Sequence, residues 1–403
     1  MIDDIKYYDD NPNHGIIYNW DFLKKEYKKL KCPKNVYNPF AVDFTKAAYC
    51  VCMSDRSQGK TTNPLLLGLL MYKYYGCVTH VIRQNKTICE PRNIMDMCKT
   101  ILEFDYISKI FDGQWNSIRY RGKRWRLTLV DEETGQVLEE CTQPCIACFG
   151  LDESQDLKSA YNAPRGDLVI FDEFINESYG YNDFIRFMDI LKTIFRDRRG
   201  YVYLLSNTID INSPWFDEFC VRDVVEGLQA GESTYTKTVL GTVMFLQILN
   251  PVKTKQRKFI NQWLFGFPNK KLASITGAET WSMSNYPHIP PDKETESTVI
   301  FGRLFLYQSG KYVKLKLMYN EKVGYCVYVH PATKVYQDSA ILTNGEILDK
   351  RYQFGFGSKN SKILDLIWRL YKANRFFYAR NSEGELLKTY IRLTKTKLRD
   401  MGL

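Results

Sequence analysis

Two stretches decide the fold: L-V-I-F-D-E (168–173) and, upstream of it, S-D-R-S-Q-G-K-T-T (54–62). Asp167–Phe171 is a short apolar run ending in Asp172-Glu173, the pattern of a strand buried on both faces in a parallel sheet. Gly59-Lys60-Thr61 follows another such run, Ala47–Met53, and opens a helix reading from Leu65 to Tyr75 with Gly76 as its C-cap. Ligands in open α/β sheets bind beyond the carboxyl ends of the strands, where both stretches lie.

The second stretch is nearly a phosphate-binding loop, G-x-x-x-x-G-K-[ST]. In that loop backbone N–H groups wrap a phosphate at a helix N-terminus. The lysine reaches the β- and γ-phosphates, and the Ser/Thr hydroxyl takes magnesium. The pattern asks for glycine at its first position, and this chain has Ser54. Serine makes the turn if its φ is negative, so the departure weakens the motif without removing it. The expected contacts to ATP are Ser54, Arg56, Ser57, Gln58, Gly59, Lys60, Thr61 and Thr62, with Thr61 and Asp172 on Mg2+. Glu173 is placed to polarise the attacking water as general base.

Other strand–helix units surround these. Val78–Ile82 reads as a strand and Ile94–Phe104 as a helix, leaving room for a strand inserted between the two motifs in the sheet. Ser117–Glu139 alternates like a hairpin turning at Thr134-Gly135, with Arg119, Arg121, Lys123, Arg124 and Arg126 on its first half. Phe184–Phe195 is an amphipathic helix, and Tyr201–Leu205 a strand ending in Ser206-Asn207, which can bond a γ-phosphate or the attacking water. A strand-end turn explains that pair equally simply. Arg196, Arg198 and Arg199 follow the helix; one of them could stabilise transition-state charge in a neighbouring subunit, or they simply suit a helix C-terminus. The inserted strand and the Asp-Glu pair suggest the ATPase branch that drives motors and helicases, and no N-K-x-D guanine signature is present.

Bulk properties set the frame. The chain of 403 residues carries a net charge of +10, and residues 351–403 hold twelve Lys/Arg against four Asp/Glu. Such an excess suits a polyanionic partner, and also an ordinary solvated helix face. Eleven scattered cysteines point to free thiols in a reducing compartment. Cys141, Cys145 and Cys148 cluster, but with His14, His80, His288 and His330 all distant, buried thiols are a simpler reading than zinc. No apolar run nears the ~18–20 residues of a membrane span, and the N-terminus does not read as a signal peptide, so a soluble intracellular protein is expected.

The segments V-I-F-D-E-F-I-N-E (169–177), F-M-D-I-L-K-T-I-F-R-D-R (187–198), L-S-N-T (205–208) and P-W-F (214–216) resemble the DNA-packaging ATPases of phi29-like tailed bacteriophages, relatives of terminase large subunits. The likeness runs upstream through K-S-A-Y-N-A-P (158–164) to R-S-Q-G-K-T (56–61) and spans roughly residues 45–220. It implies a ring ATPase, a homo-oligomer of pentameric type, docked on the portal of a procapsid in the host cytoplasm and threading double-stranded DNA inward. It also implies that Lys158 and either Arg196 or Arg198 reach a neighbour's site. Terminase relatives carry an RNase H-like nuclease, which needs clustered carboxylates for two metals. Residues 298–329 hold only Glu321, with Asp338, Glu346 and Asp349 later and Tyr328 and His330 where an acid is wanted. A vestigial nuclease fold that grips DNA or a packaging RNA fits better.

The expected fold class is therefore α/β: an ASCE-type P-loop ATPase domain with a mostly parallel sheet, plus a smaller C-terminal α+β domain resembling a vestigial nuclease. The boundaries are 1–225 for the ATPase with its N-terminal arm, 226–296 for a linker and 297–403 for the basic domain. Two rival readings remain: a helicase or recombination ATPase on single-stranded DNA, and a nucleic-acid-binding assembly protein with a decayed ATP site.

Overall fold

The computed structural model describes residues 5–33, 36–54, 58–160, 165–175, 182–207, 213–250, 263, 287, 297–308, 311–321, 324–332, 334–345, 347–355, 362–379 and 381–400. Its larger sheet has ten strands. Six of them run parallel in the order β6 (Ile146–Gly150), β2 (Thr79–Arg83), β7 (Leu168–Asp172), β8 (Tyr201–Asn207), β1 (Tyr49–Ser54), β10 (Val243–Ile248). These strands are nearly continuous apolar runs because helices cover both faces.

One face packs under α1 (Trp20–Lys29), α2 (Thr62–Tyr75), α4 (Lys99–Glu103) and α5 (Tyr106–Phe111), with Leu23, Leu66, Ile101 and Ile107 in a common core with Cys50, Val81 and Ile170. The other packs under α7 (Asp183–Phe195), α8 (Pro214–Glu218) and α9 (Arg222–Gly227), where Phe187, Ile190 and Trp215 meet Val51, Phe171 and Leu204. Helix α2 is buried almost all round, so it carries no polar stripe. Pro64 sits in its first turn, where a missing N–H costs nothing.

Three expectations are corrected. Residues 94–104 form no single helix: α3 (Pro91–Ile94), a 3-10 turn (Met95–Cys98) and α4 follow one another, while Ile94, Cys98 and Ile101 keep their faces to the core. The hairpin is a three-stranded meander, β3 (Ser117–Arg121), β4 (Arg124–Val130) and β5 (Val137–Glu140). Its tight turn is Gly122-Lys123, both at positive φ, the backbone twist that suits two-residue hairpins; Thr134-Gly135 lies in the loop joining β4 to β5. Finally, β9 (Ser233–Lys237) and β10 join the large sheet, β10 parallel to β1, so the first unit reaches at least Ile248 and the boundary at 225 falls too early. β10 adds its hydrogen bonds along β1, the strand that leads into the Gly-Lys-Thr turn.

The second sheet has the order β15 (Tyr352–Phe354), β14 (Ala340–Thr343), β11 (Thr298–Gln308), β12 (Lys311–Asn320), β13 (Gly324–Pro331), β16 (Phe376–Tyr378). Alternate residues Val313, Leu315, Leu317, Val327 and Val329 pack against α10 (Lys362–Lys372) and α11 (Asn381–Asp400). This is a mixed α+β unit. Among the described residues no helix is long and apolar enough to cross a membrane.

Candidate nucleotide site

β1, β2, β7 and β8 all end on the same edge of the sheet, and their register decides which side chains meet. Ser54 pairs with Asn207, Asp172 with Leu205, and Ile82 with Phe171. The strand between the two motifs is β8, which follows both in sequence, while β2 lies on the far side of β7. Ser54 closes β1 in extended conformation and is buried, so this backbone makes no demand for glycine at that position.

The turn itself is fastened from outside. Gly59 has φ +69, which favours glycine, and a β-carbon there would press on Val36 at 3.1 Å. The Gln58 carbonyl accepts from the Tyr37 N–H (2.7 Å), and its side-chain amide donates to the Asn250 carbonyl (2.9 Å). Asn63 in the first turn of α2 donates to the Tyr37 carbonyl (2.5 Å). Tyr37, Asn63 and Asn250 carry no motif, and nothing in the sequence marked them as supports of the loop.

Within this frame Lys60 Nζ donates to Asn207 Oδ1 (2.7 Å) and the Thr61 hydroxyl to Asp172 Oδ1 (3.0 Å). Arg83, the last residue of β2, bonds Asp172 Oδ2 and approaches Glu173 Oε2 at 3.3 Å. Sequence reasoning missed Arg83; the register of β2 beside β7 is what delivers it. Asp172 is 4% exposed. Its carboxyl is pushed above the usual carboxylate range by burial, and raised further by neighbouring Glu173, while Arg83, Thr61 and Lys60 pull it down. Glu173, by contrast, is exposed, with φ +57. A non-glycine residue held there costs roughly 1 kcal/mol or more, strain that clusters at functional positions. Thr61 and Asp172 present two hard oxygen donors side by side, a set that fits Mg2+.

No family model and no curated protein matches this chain. Its fold does match solved structures. It is similar to the bacteriophage Phi-29 viral genome packaging motor assembly over 90% of this chain and 100% of that one, with 15% identity and a TM-score of 0.54. The likeness to the Phi-28 gp11 DNA packaging motor covers 90% and 99%, with 14% identity and a TM-score of 0.53. The chain has the fold of these phage packaging motors.

Within this packaging-motor fold the remaining candidates separate. Ser206 is fully buried and its hydroxyl donates to the main-chain carbonyls of Asn207 (2.9 Å) and Ile175 (3.4 Å), bracing the β7 and β8 ends against each other. Arg198 sits at the opposite edge of the sheet. Its Nε donates to Asp167 Oδ1 (3.1 Å) and its Nη2 to the Ile194 carbonyl (2.6 Å), so its guanidinium is engaged within the chain, away from the Gly-Lys-Thr turn. Arg196 is exposed at the end of α7, at φ +52. Lys158 lies on α6 (Ser154–Ala160), but its side chain, like Arg56 and Ser57, is outside the described residues. Thr62 is the first residue of α2 and half-buried.

The cysteine cluster is built into the sheet. Cys141 Sγ donates to the Gln143 carbonyl (2.8 Å), Cys145 Sγ to the Trp125 carbonyl (3.4 Å), and burial pushes all three thiols up. In the C-terminal unit Asp338 pairs with Arg303, and Asp349 with Arg351 (2.6 Å). Glu346 is outside the described residues. Two buried carboxylates escaped sequence reasoning there, Glu383 and Glu385 on α11, because an acidic residue on a helix gives no sign of which way it faces.

Proposed function

We propose that this chain is the ATP-hydrolysing subunit of a motor that drives double-stranded DNA into a procapsid through its portal. The observation that carries the reading is the convergence of Lys60, Thr61, Asp172, Glu173 and Asn207 from the ends of three neighbouring strands. In this reading the turn at Gly59 and Lys60 holds the β- and γ-phosphates of ATP, and Thr61 with Asp172 holds Mg2+. The ion would neutralise charge developing on the phosphates. Glu173, half in solvent beside the γ-phosphate, orients a water and takes its proton. Lys60 exchanges its bond to Asn207 for a phosphate oxygen, and Asn207 so reports the nucleotide's presence to β8. Ser206 supports that strand end.

The subunits act as a homo-oligomeric ring of pentameric type, with Arg196 or Lys158 completing a neighbour's site, first in the host cytoplasm and then at the portal vertex. The C-terminal unit serves as a basic nucleic-acid grip with no cutting activity, toward DNA or a packaging RNA. Its fold class, a vestigial nuclease, belongs to the same proposal.

The test is steady-state ATP hydrolysis with and without duplex DNA for the wild type and Glu173→Gln. Hydrolysis stimulated by duplex DNA and reduced about 10²–10⁴-fold in the variant, with nucleotide binding retained, is the expected result. Stimulation by single-stranded DNA alone would favour a helicase, and nucleotide-independent DNA binding without turnover would favour an assembly protein.

A further inference from the structure

One feature of the ATPase unit plays no part in the nucleotide site. On the β3–β4 hairpin, Ile118, Tyr120, Trp125 and Leu127 turn toward the core. The alternate residues Arg119, Arg121, Arg124 and Arg126 therefore share the opposite face. The register sets Arg119 directly across from Arg126 and Arg121 across from Arg124. Like charges directly opposite on neighbouring strands destabilise a sheet, so two such pairs in succession concentrate positive charge at a cost to folding. Glu140 on β5 stands 3.7 Å from Arg126, whose Nη1 also donates to the Thr142 carbonyl (2.8 Å), and Arg124 lines a hollow with Glu153 and Asp156. Arg119 and Arg121 are exposed. Arg121, Gly122, Arg124, Arg126 and Glu140 line an open hollow of about 370 Å³.

We infer that this arginine face is a docking surface for the phosphate backbone of duplex DNA. Guanidinium groups bind phosphates with paired, planar donors, and a concentrated cationic face gains from releasing the counterions of a polyanion. Residues two apart on a strand are ~6.7 Å from each other, the scale on which neighbouring phosphates along one DNA strand are spaced. Duplex is favoured over single-stranded nucleic acid by what the face lacks. Unstacked bases are held by exposed aromatic rings, and Tyr120 and Trp125, the rings of this hairpin, face the core. Contacts are to phosphates alone, so binding is independent of base sequence. The inference rests on the packaging-motor reading and adds a DNA contact on the ATPase unit itself, at the sheet edge beyond β6.

The test compares the full-length wild type with Arg119→Ser/Arg121→Ser and with a control that loses the same charge elsewhere, Lys24→Ser/Lys25→Ser on α1. Affinity for a blunt 30-base-pair DNA is measured by fluorescence anisotropy at several salt concentrations, beside an RNA duplex and a single strand of equal length. ATP binding is measured separately. The expected result is that the hairpin variant lowers the salt slope of duplex-DNA binding by about 1.8, for two lost phosphate contacts. Its ATP affinity is unchanged, and the control keeps the wild-type slope. An unchanged slope in the hairpin variant, with wild-type DNA binding intact, overturns this surface and leaves the motor reading standing. A loss confined to RNA duplex or to single strand overturns the choice of duplex DNA. A wild type that binds no duplex DNA at all overturns both.

Discussion

Strand β7 is bounded by two buried aspartates that live in opposite circumstances. Asp167, just before its first residue, is fully buried and locked. It accepts from the Tyr18 hydroxyl at 2.6 Å and from Arg198 at 3.1 Å, with Arg165 at 3.8 Å. Asp172, its last residue, is nearly as buried, but it shares an edge with Glu173 and is held by Thr61 and Arg83. The first set of partners ties the N-terminal arm and the end of α7 to the sheet. The second belongs to the strand-end loops where a phosphate and a metal ion would sit. The same residue type at nearly equal depth is therefore locked among structural partners at one end of the strand and, in the function proposed above, serves chemistry at the other; the difference lies in which elements end nearby.

The comparison breaks first, and by most, if the two aspartates respond alike to substitution. Asp172→Asn is expected to lower ATP hydrolysis about 10²–10³-fold with little loss of stability, since burial already disfavours its charged form. Asp167→Ala is expected to do the reverse. It leaves Arg198 and Tyr18 without their acceptor and costs about 3–5 kcal/mol in urea unfolding, while each folded molecule keeps its hydrolysis rate. Equal activity losses would erase the distinction.

Arginines at the end of α7 sharpen it further. Arg198→Ala is expected to destabilise by about 3 kcal/mol through the same buried pair, with no change in DNA-stimulated hydrolysis beyond the loss of folded protein. Arg196→Ala is expected to leave the unfolding midpoint in place and lower hydrolysis only under conditions where rings form. Mixing wild-type subunits with the Arg196 variant separates the two cases, because a residue acting across a boundary is rescued in part by its neighbours.

His80 supplies the most graded effect, small at any one pH step. It lies in the middle of β2, fully buried, its ring stacked 5.9 Å from that of Phe149. Burial lowers its pKa to about 3, with the nearby Arg198 and Arg124 adding to the shift. A depressed folded-state value means the stabilising neutral form is favoured above the unfolded value near 6.5, and that stability is lost as pH falls toward 3. Each pH unit in that window is expected to remove about 1.4 kcal/mol on account of this group. His80→Asn should show a shallower slope by one proton in urea titrations between pH 6.5 and 4; an identical slope would place the titration elsewhere.

Much of this was legible beforehand. The apolar runs at Ala47–Met53, Asp167–Phe171 and Tyr201–Leu205 announce buried strands because a strand covered on both faces has no polar side to show. Gly59, Lys60, Thr61, Asp172 and Glu173 could be named as one site because phosphate and metal chemistry constrain residue type at fixed positions along a short segment. Even the absent glycine at position 54 resolves simply, since Ser54 is the end of a strand.

What the linear order could not carry is lateral adjacency. Arg83 meets Asp172 because β2 lies beside β7, and Asn207 meets Lys60 because β8 inserts between β7 and β1. Arg198, close to the motif in sequence, is sent to the far edge because a helix and its return loop bring the chain back to where the next parallel strand begins. The place of β9 and β10 was hidden for a similar reason: β9 alternates like an edge strand, β10 is a short apolar run, and only the pairing of β10 with β1 assigns both to the first sheet. Residue chemistry and local period are written in consecutive positions, so the sequence by itself determined the buried strands, the Gly-Lys-Thr turn at the head of α2 and the acidic pair. Strand order and register arise from packing between distant segments, so tertiary structure alone decided which charges face each other.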